Sequence, residues 1–223
     1  QSTAFESGFN INIYKPRCNG VLSEAEAEYL ISRKYSGIII DCHCDENTAR
    51  ILEESELPLI NVIERINTRH KPFPFIGTDD RIGGKEATAF LIESGCRKLV
   101  HLAGTGHEAE GRRNGFLEVV NDKGLKNFSV VETGWNFENG YTLMTRLLKE
   151  RVKYDGIFAS NDYVAAGIIR ALHEQKIRIP EDVSVIGFAG DPVCELIFPS
   201  LTSVNQPFEE LGKTAMKTIQ SLI

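Results

Sequence analysis

The stretch "GIFASNDYVAAGIIRALHEQKIRIPEDVSVIGF", Gly156 to Phe188, decides the fold. It opens on a short apolar run, "GIFAS", and closes on another, "VSVIGF". Between them "DYVAAGIIRALHEQ" carries its apolar residues at helical spacing, followed by a polar link with a proline. An amphipathic helix between two buried strands is the crossover that a parallel pair requires.

The same cycle runs through the chain. Further strands are predicted at "FNINIY", "GIIID", "PLINVI", "FPFIGT", "KLVHLAG", "FSVVETG" and "LTSVNQ". Helices are predicted at "LSEAEAEYLISRKY", "IGGKEATAFLIESG", "EGRRNGFLEVVNDKG", "ENGYTLMTRLLKE" and "FEELGKTAMKTIQSLI". Ser23 with Glu26 three residues on is a capping box, and Gly95 and Gly124 stand where helices should end. Strand–helix alternation over the whole length predicts an α/β fold, a doubly wound parallel sheet with helices on both faces. The strands read as near-continuous apolar runs, as doubly covered parallel strands should. "NTRHKPFPF", Asn67 to Phe75, is a Pro-rich, helix-free link and a candidate domain crossing. Both ends read as cut: "QSTAFESG" as the last turns of a helix, "TIQSLI" as a helix that simply stops.

Composition sets limits on function. The 223 residues are 42% hydrophobic and 25% charged, as in ordinary globular proteins. No apolar run approaches the ~20 residues that span a bilayer, and no signal peptide opens the sequence, so no membrane partner is expected. The net charge is -6, and the two arginines of "GRRNG" make no nucleic-acid footprint. Five irregularly spaced cysteines, Cys18, Cys42, Cys44, Cys96 and Cys194, argue for a reducing, cytoplasmic setting rather than a disulfide framework.

In open parallel sheets, ligands bind outside the carboxyl ends of the strands, where helix N-termini also point. That rule selects Asp41 and Cys42, Gly104 to His107, Trp135, Ser160 to Asp162, Ala189 to Asp191, and Asn205 with Gln206, with Arg112 just inside a following helix. Hydrogen-bonding groups beside one Trp suit a small polar ligand. Simpler roles compete: Asn161 or Asp162 as an N-cap, Trp135 as a core anchor, Arg113 as a solvated charge, His107 as a loop residue. Enzyme motifs are absent or poor. "GTGHEAEG" lacks the G-x-G-x-x-G spacing, and there is no phosphate-loop lysine, nucleophile elbow or zinc spacing. No cofactor, metal or catalytic set is expected.

At "GIFASNDYVAAGIIRAL", "IRIPEDVSVIGF" and "PSLTSVNQPFEELGKTA" the chain resembles the effector-binding core of the lactose-repressor/galactose-repressor family of bacterial transcription regulators. "TDDRIGGKEATAFLIESGCRKLVHLAG" and "EGRRNGF" carry the likeness through the middle. The resemblance implies a periplasmic-binding-protein-like fold of two subdomains with a cleft between them. The expected division is 1–77 plus 207–223, and 78–206. It also implies a homodimer, a small sugar-like effector, and DNA contact only through an N-terminal domain that this sequence does not contain. Carried across, Arg112 matches an arginine that hydrogen-bonds the ligand, Trp135 a stacking aromatic and Asn161 a cleft asparagine. Gln206 lies at a crossing that lines the cleft, and Asp79 at another.

One position departs from the pattern. Where many members place a ligand-binding aspartate after "VSVIGF", this chain has Ala189, then Gly190 and Asp191. Either Asp191 substitutes, or the ligand lacks the group that aspartate holds. The family's first core strand also has no counterpart here, so the N-terminal subdomain's sheet is expected to depart from the pattern. An exported sugar-binding protein of the same fold is the alternative reading.

"GIIIDCHCDE", Gly37 to Glu46, raises a separate question, since Cys42, His43 and Cys44 are metal-ligand types. Strand alternation puts the two thiols on one face and the imidazole on the other, which argues against a metal site. The expectation is a buried strand followed by a turn, with two thiols prone to oxidation.

Overall fold

The computed structural model describes residues 7–17, 20–66, 68–69, 71–151 and 153–223. In chain order the elements are β1 (Val21–Leu22), α1 (Glu24–Ser32), β2 (Ile38–Ile40), β3 (His43–Cys44), α2 (Glu46–Glu54), β4 (Leu59–Val62) and β5 (Phe75–Ile76). There follow α3 (Asp80–Glu93), β6 (Lys98–Ala103), α4 (His107–Asp122), β7 (Asn127–Glu132), α5 (Phe137–Lys149), β8 (Gly156–Ala159) and α6 (Asp162–Glu174). The chain closes with β9 (Ser184–Ala189), α7 (Val193–Leu196), β10 (Thr202–Asn205) and α8 (Phe208–Leu222). It forms two compact units, Gln1–Thr78 with Pro207–Ile223, and Asp79–Gln206.

Helix ends follow local chemistry. Side chains of Asp45, Asp79, Asn136 and Asn161 accept from the amides of Thr48, Ile82, Asn139 and Val164, satisfying N–H groups left over at each helix start. Gly95 and Gly124 have φ of 97° and 64°, in the left-handed region. Beyond them Cys96 N donates to Leu91 O and Leu125 N to Val120 O, the closing bond of a Schellman turn.

The unit 79–206 holds one five-stranded sheet in the order β10-β9-β8-β6-β7, parallel throughout. The opening stretch is its β8–α6–β9 crossover, registered Phe158 to Ile186. Side chains alternate across the sheet. Leu99, Phe158 and Ile186 pack with Leu91 of α3 and Phe116 of α4 on one face. Val100, Leu102 and Ile157 pack with Leu143 of α5 and Ile168 of α6 on the other. This unit is doubly wound.

Among the described residues the other unit has two small sheets, β1-β3 and β2-β4-β5. "FNINIY" forms no strand, although its alternation fits extended backbone. A strand exists only as a partner in a ladder, and among the described residues β2 pairs with β4 alone. Most of the helix expected at the chain start, and Cys18, lie outside the described residues. The helix α2 went unread because "ENTARILEE" is short and sits beside the cysteine-rich turn.

At that turn, Cys42 and Cys44 pack against the core around Leu22, Ile40 and Leu52. His43 points away, its Nε2 2.8 Å from Glu64 Oε1. Burial pushes the Cys42 thiol up to about 11 and Cys44 to about 12. The expected oxidation-prone pair is therefore a pair of poorly ionised thiols. "GIIID" is also less covered than expected, with Ile39 40% exposed. Among the described residues no cluster of three or more His, Cys, Asp or Glu could hold a metal, and no helix is long and apolar enough to cross a membrane.

Candidate functional site

The constellation centres on Arg112 in α4, only 4% exposed. Its Nε donates to Asp80 Oδ1 at 2.8 Å and its Nη1 to Ser160 O at 2.6 Å. The guanidinium lies 3.8 Å from the centre of the Phe188 ring and 5.4 Å from that of Trp135. These partners come from the start of α3, the end of β8, the end of β9 and the loop after β7. Parallel strands that end together bring them to one place. A buried charge is tolerated only when paired and hydrogen-bonded, and Arg112 has both kinds of support. Burial raises the pKa of Asp80, and the adjacent Arg112 opposes that rise.

Trp135 is held at several points. Its Nε1 donates to Thr105 O at 3.2 Å, and its carbonyl accepts from Asn161 Nδ2 at 2.8 Å. The indole lies against Gly104, where an added Cβ would sit 2.4 Å from the ring. Its side chain stays partly exposed, so it is no core anchor. Asn161 also accepts from Val164 N at 2.8 Å. It is thus an N-cap, as its residue type suggested, and at the same time a brace for the Trp135 loop.

The remaining positions lie around this cluster in different ways. Asp79 caps α3, accepting from Ile82 N at 3.0 Å, while its neighbour Asp80 pairs with Arg112. Gln206 is buried, and its backbone N–H donates to Ala189 O at 2.9 Å. Ala189 has φ 122° and Gly190 φ 74°, so the chain turns sharply where the family pattern has its aspartate. Asp191 Oδ1 accepts from Val193 N at 3.0 Å, and its carboxylate raises the pKa of Tyr163. Its amide donates to the buried Asp162, which also accepts from Ser203 Oγ at 2.6 Å. Asp191 therefore serves the start of α7 and is not brought to Arg112.

Sequence reasoning selected Ser160 by the strand-end rule but missed Asp80 and Phe188. The "DD" at 79–80 was a signal, but only the helix register tells which aspartate turns towards Arg112. His107 begins α4 instead of sitting in a loop.

Residues 88–223 match the family described as "Periplasmic binding protein-like domain". The ribose operon repressor of Halalkalibacterium halodurans is 33% identical over 169 residues, 75% of this chain and 50% of that protein. The HTH-type transcriptional regulator CelR of Thermobifida fusca is 29% identical over 213 residues, 93% of this chain and 62% of that protein. This chain thus spans half to under two thirds of those relatives. A solved transcriptional regulator CelR–cellobiose complex superposes with a TM-score of 0.87 at 27% identity, covering 99% of this chain and 69% of that one. The chain belongs to the family of periplasmic binding protein-like domains, in the form found in lactose-repressor/galactose-repressor regulators.

Proposed function

We propose that this domain is the effector-sensing part of a bacterial transcription regulator. It binds a small polar molecule, a sugar or sugar derivative, at Arg112, Trp135 and Asn161. The observation that carries this reading is Arg112, buried between Asp80, Ser160 O and two aromatic rings at the carboxyl ends of the strands. The two hydrogen bonds take two of the five N–H donors of a guanidinium, and the partly exposed Trp135 face lies beside it. Donors next to an indole face are what a ring bearing hydroxyls needs. Gln206 and Asp79, at the two ends of the unit, are secondary contacts. The loop position of Asp191 favours a ligand without the group that the family's aspartate holds.

The relatives named above are repressors and regulators by name. In the whole protein, a cytoplasmic homodimer, ligand binding changes operator affinity through DNA-binding heads outside this sequence. That is a coupling free energy shared between two sites. A thermal-shift screen of sugars, sugar phosphates, nucleosides and purines tests the reading, because a ligand of the native state raises its melting temperature. Calorimetry with the hit should then show Trp135→Ala and Arg112→Ala each weakening binding by about 1–3 kcal/mol. Unchanged affinity in both variants would sink the assignment.

A further inference from the structure

The fold gathers a second polar site at the opposite end of the sheet in the unit 79–206. Lys98 opens β6, Lys126 directly precedes β7, and Lys153 precedes β8 by three residues. Those three strands are neighbours, with β6 in the middle and Lys98 in register with Asn127. The lysines are far apart in sequence, and only the parallel arrangement brings them together. With Asn127, Phe128, Ser129 and Tyr154 they line a concavity of about 300 Å³ with no acidic residue in its wall among the described residues. At about 3.3 Å per residue, the length of β6 separates it from the Arg112 cluster.

The polar part of this lining favours an anion. None of the three lysines takes part in an ion pair seen among the described residues. Asp155, the adjacent carboxylate in sequence, already accepts from the amides of Arg97 and Lys98 at 2.8 and 2.7 Å through Oδ1. Ser129 Oγ and Tyr154 OH lie 2.8 Å apart. Whichever donates in that bond, the other hydroxyl keeps its proton for a further acceptor. Three lysines around one concavity also stand out in a chain of net charge -6.

We propose that this concavity binds a phosphate group, free or carried on a small phosphoester. Lysine binds phosphate as a mobile point charge, and three around one concavity suit a compact, multiply charged oxyanion. The volume is at the small-molecule end of ligand pockets. A nucleic-acid backbone would call for a basic stripe rather than one hollow.

The test is titration of the chain with inorganic phosphate and with glycerol 3-phosphate at low ionic strength, followed by calorimetry and by amide resonances. Binding should be saturable and should shift the amides of Lys98 and Asn127. It should weaken at least about tenfold in the Lys98→Gln/Lys126→Gln/Lys153→Gln protein, with the melting temperature unchanged. Should that protein melt early, the three single variants take its place, each expected to lose about two- to fivefold. Tighter binding of the ester identifies a phosphoester, and equal binding identifies the free anion. The proposal is overturned by equal affinity in the lysine variants, by binding of polyglutamate without saturable binding of either small anion, or by loss of phosphate binding in Trp135→Ala.

Discussion

Arg112 keeps a charge where almost no water reaches it, and that fact decides what its removal does. Arg112→Ala would leave Asp80 half-enclosed without its cation, so it should destabilise the unit by about 3–5 kcal/mol as well as weaken ligand binding. Denaturant unfolding separates the two effects, since Trp135→Ala removes ligand contact without stranding a charge. His101 is the other buried polar group of note. It is fully buried on the α3–α4 face, with Nδ1 3.0 Å from Phe158 O and its ring stacked on Phe158 at 4.3 Å. Burial holds its pKa down to about 4, with Arg112 and Arg113 acting in the same direction. Between the ordinary value of 6.5 and about 4, the unfolded chain takes up a proton that the folded chain refuses. Stability should therefore fall by about 3 kcal/mol as pH drops through that window. His101→Phe should flatten this slope in urea unfolding measured at pH 7 and pH 4.5; an unchanged slope would show that the acid loss comes from other groups. Cys42 and Cys44, pushed up to about 11 and about 12, should react slowly with a thiol reagent at pH 7 until the chain is unfolded. Fast labelling of Cys42 or Cys44 in the native protein, read by peptide mapping, would contradict the burial described for them.

At the scale of elements, α5 and α6 meet through glycines. A Cβ on Gly140 would stand 2.2 Å from Val164 O, and one on Gly167 2.1 Å from Phe137 O. Because the obstructing atoms are backbone, the helices would have to separate. Gly140→Ala and Gly167→Ala should each cost about 1–3 kcal/mol, read as a lower denaturant midpoint. They should also loosen Asn161, which caps α6 and braces Trp135. An unchanged midpoint would mean that the helices separate at no cost. Legibility in the sequence varied at this scale for a physical reason. Gly156 to Phe188 was readable because strand, helix and turn signals all agreed there, and Gly95 and Gly124 marked real helix ends. Phe9 to Tyr14 misled because alternation specifies extended backbone but not a neighbour to pair with. The strands β1 and β3 are two residues each, below any period that a sequence can display.

At the scale of the whole molecule, proximity is what sequence reading could not supply. The strand-end rule selected Trp135, Asn161 and Ala189 without any knowledge of their partners, and the sheet then supplied Asp80 and Phe188. Basic residues adjacent in sequence, such as Arg112 with Arg113, say nothing of Lys98, Lys126 and Lys153, which only the fold brings together. A small polar ligand beside Trp135 can be watched directly, because the chain contains one tryptophan. Its fluorescence reports on that place alone. We predict that the compound which raises the melting temperature also changes Trp135 emission saturably. Its affinity should fall about tenfold in Asn161→Asp, which keeps the acceptor for Val164 N and removes the amide donor to the Trp135 loop. A compound that stabilises the chain while leaving Trp135 emission unmoved, with unchanged affinity in Asn161→Asp, would place the ligand away from Trp135.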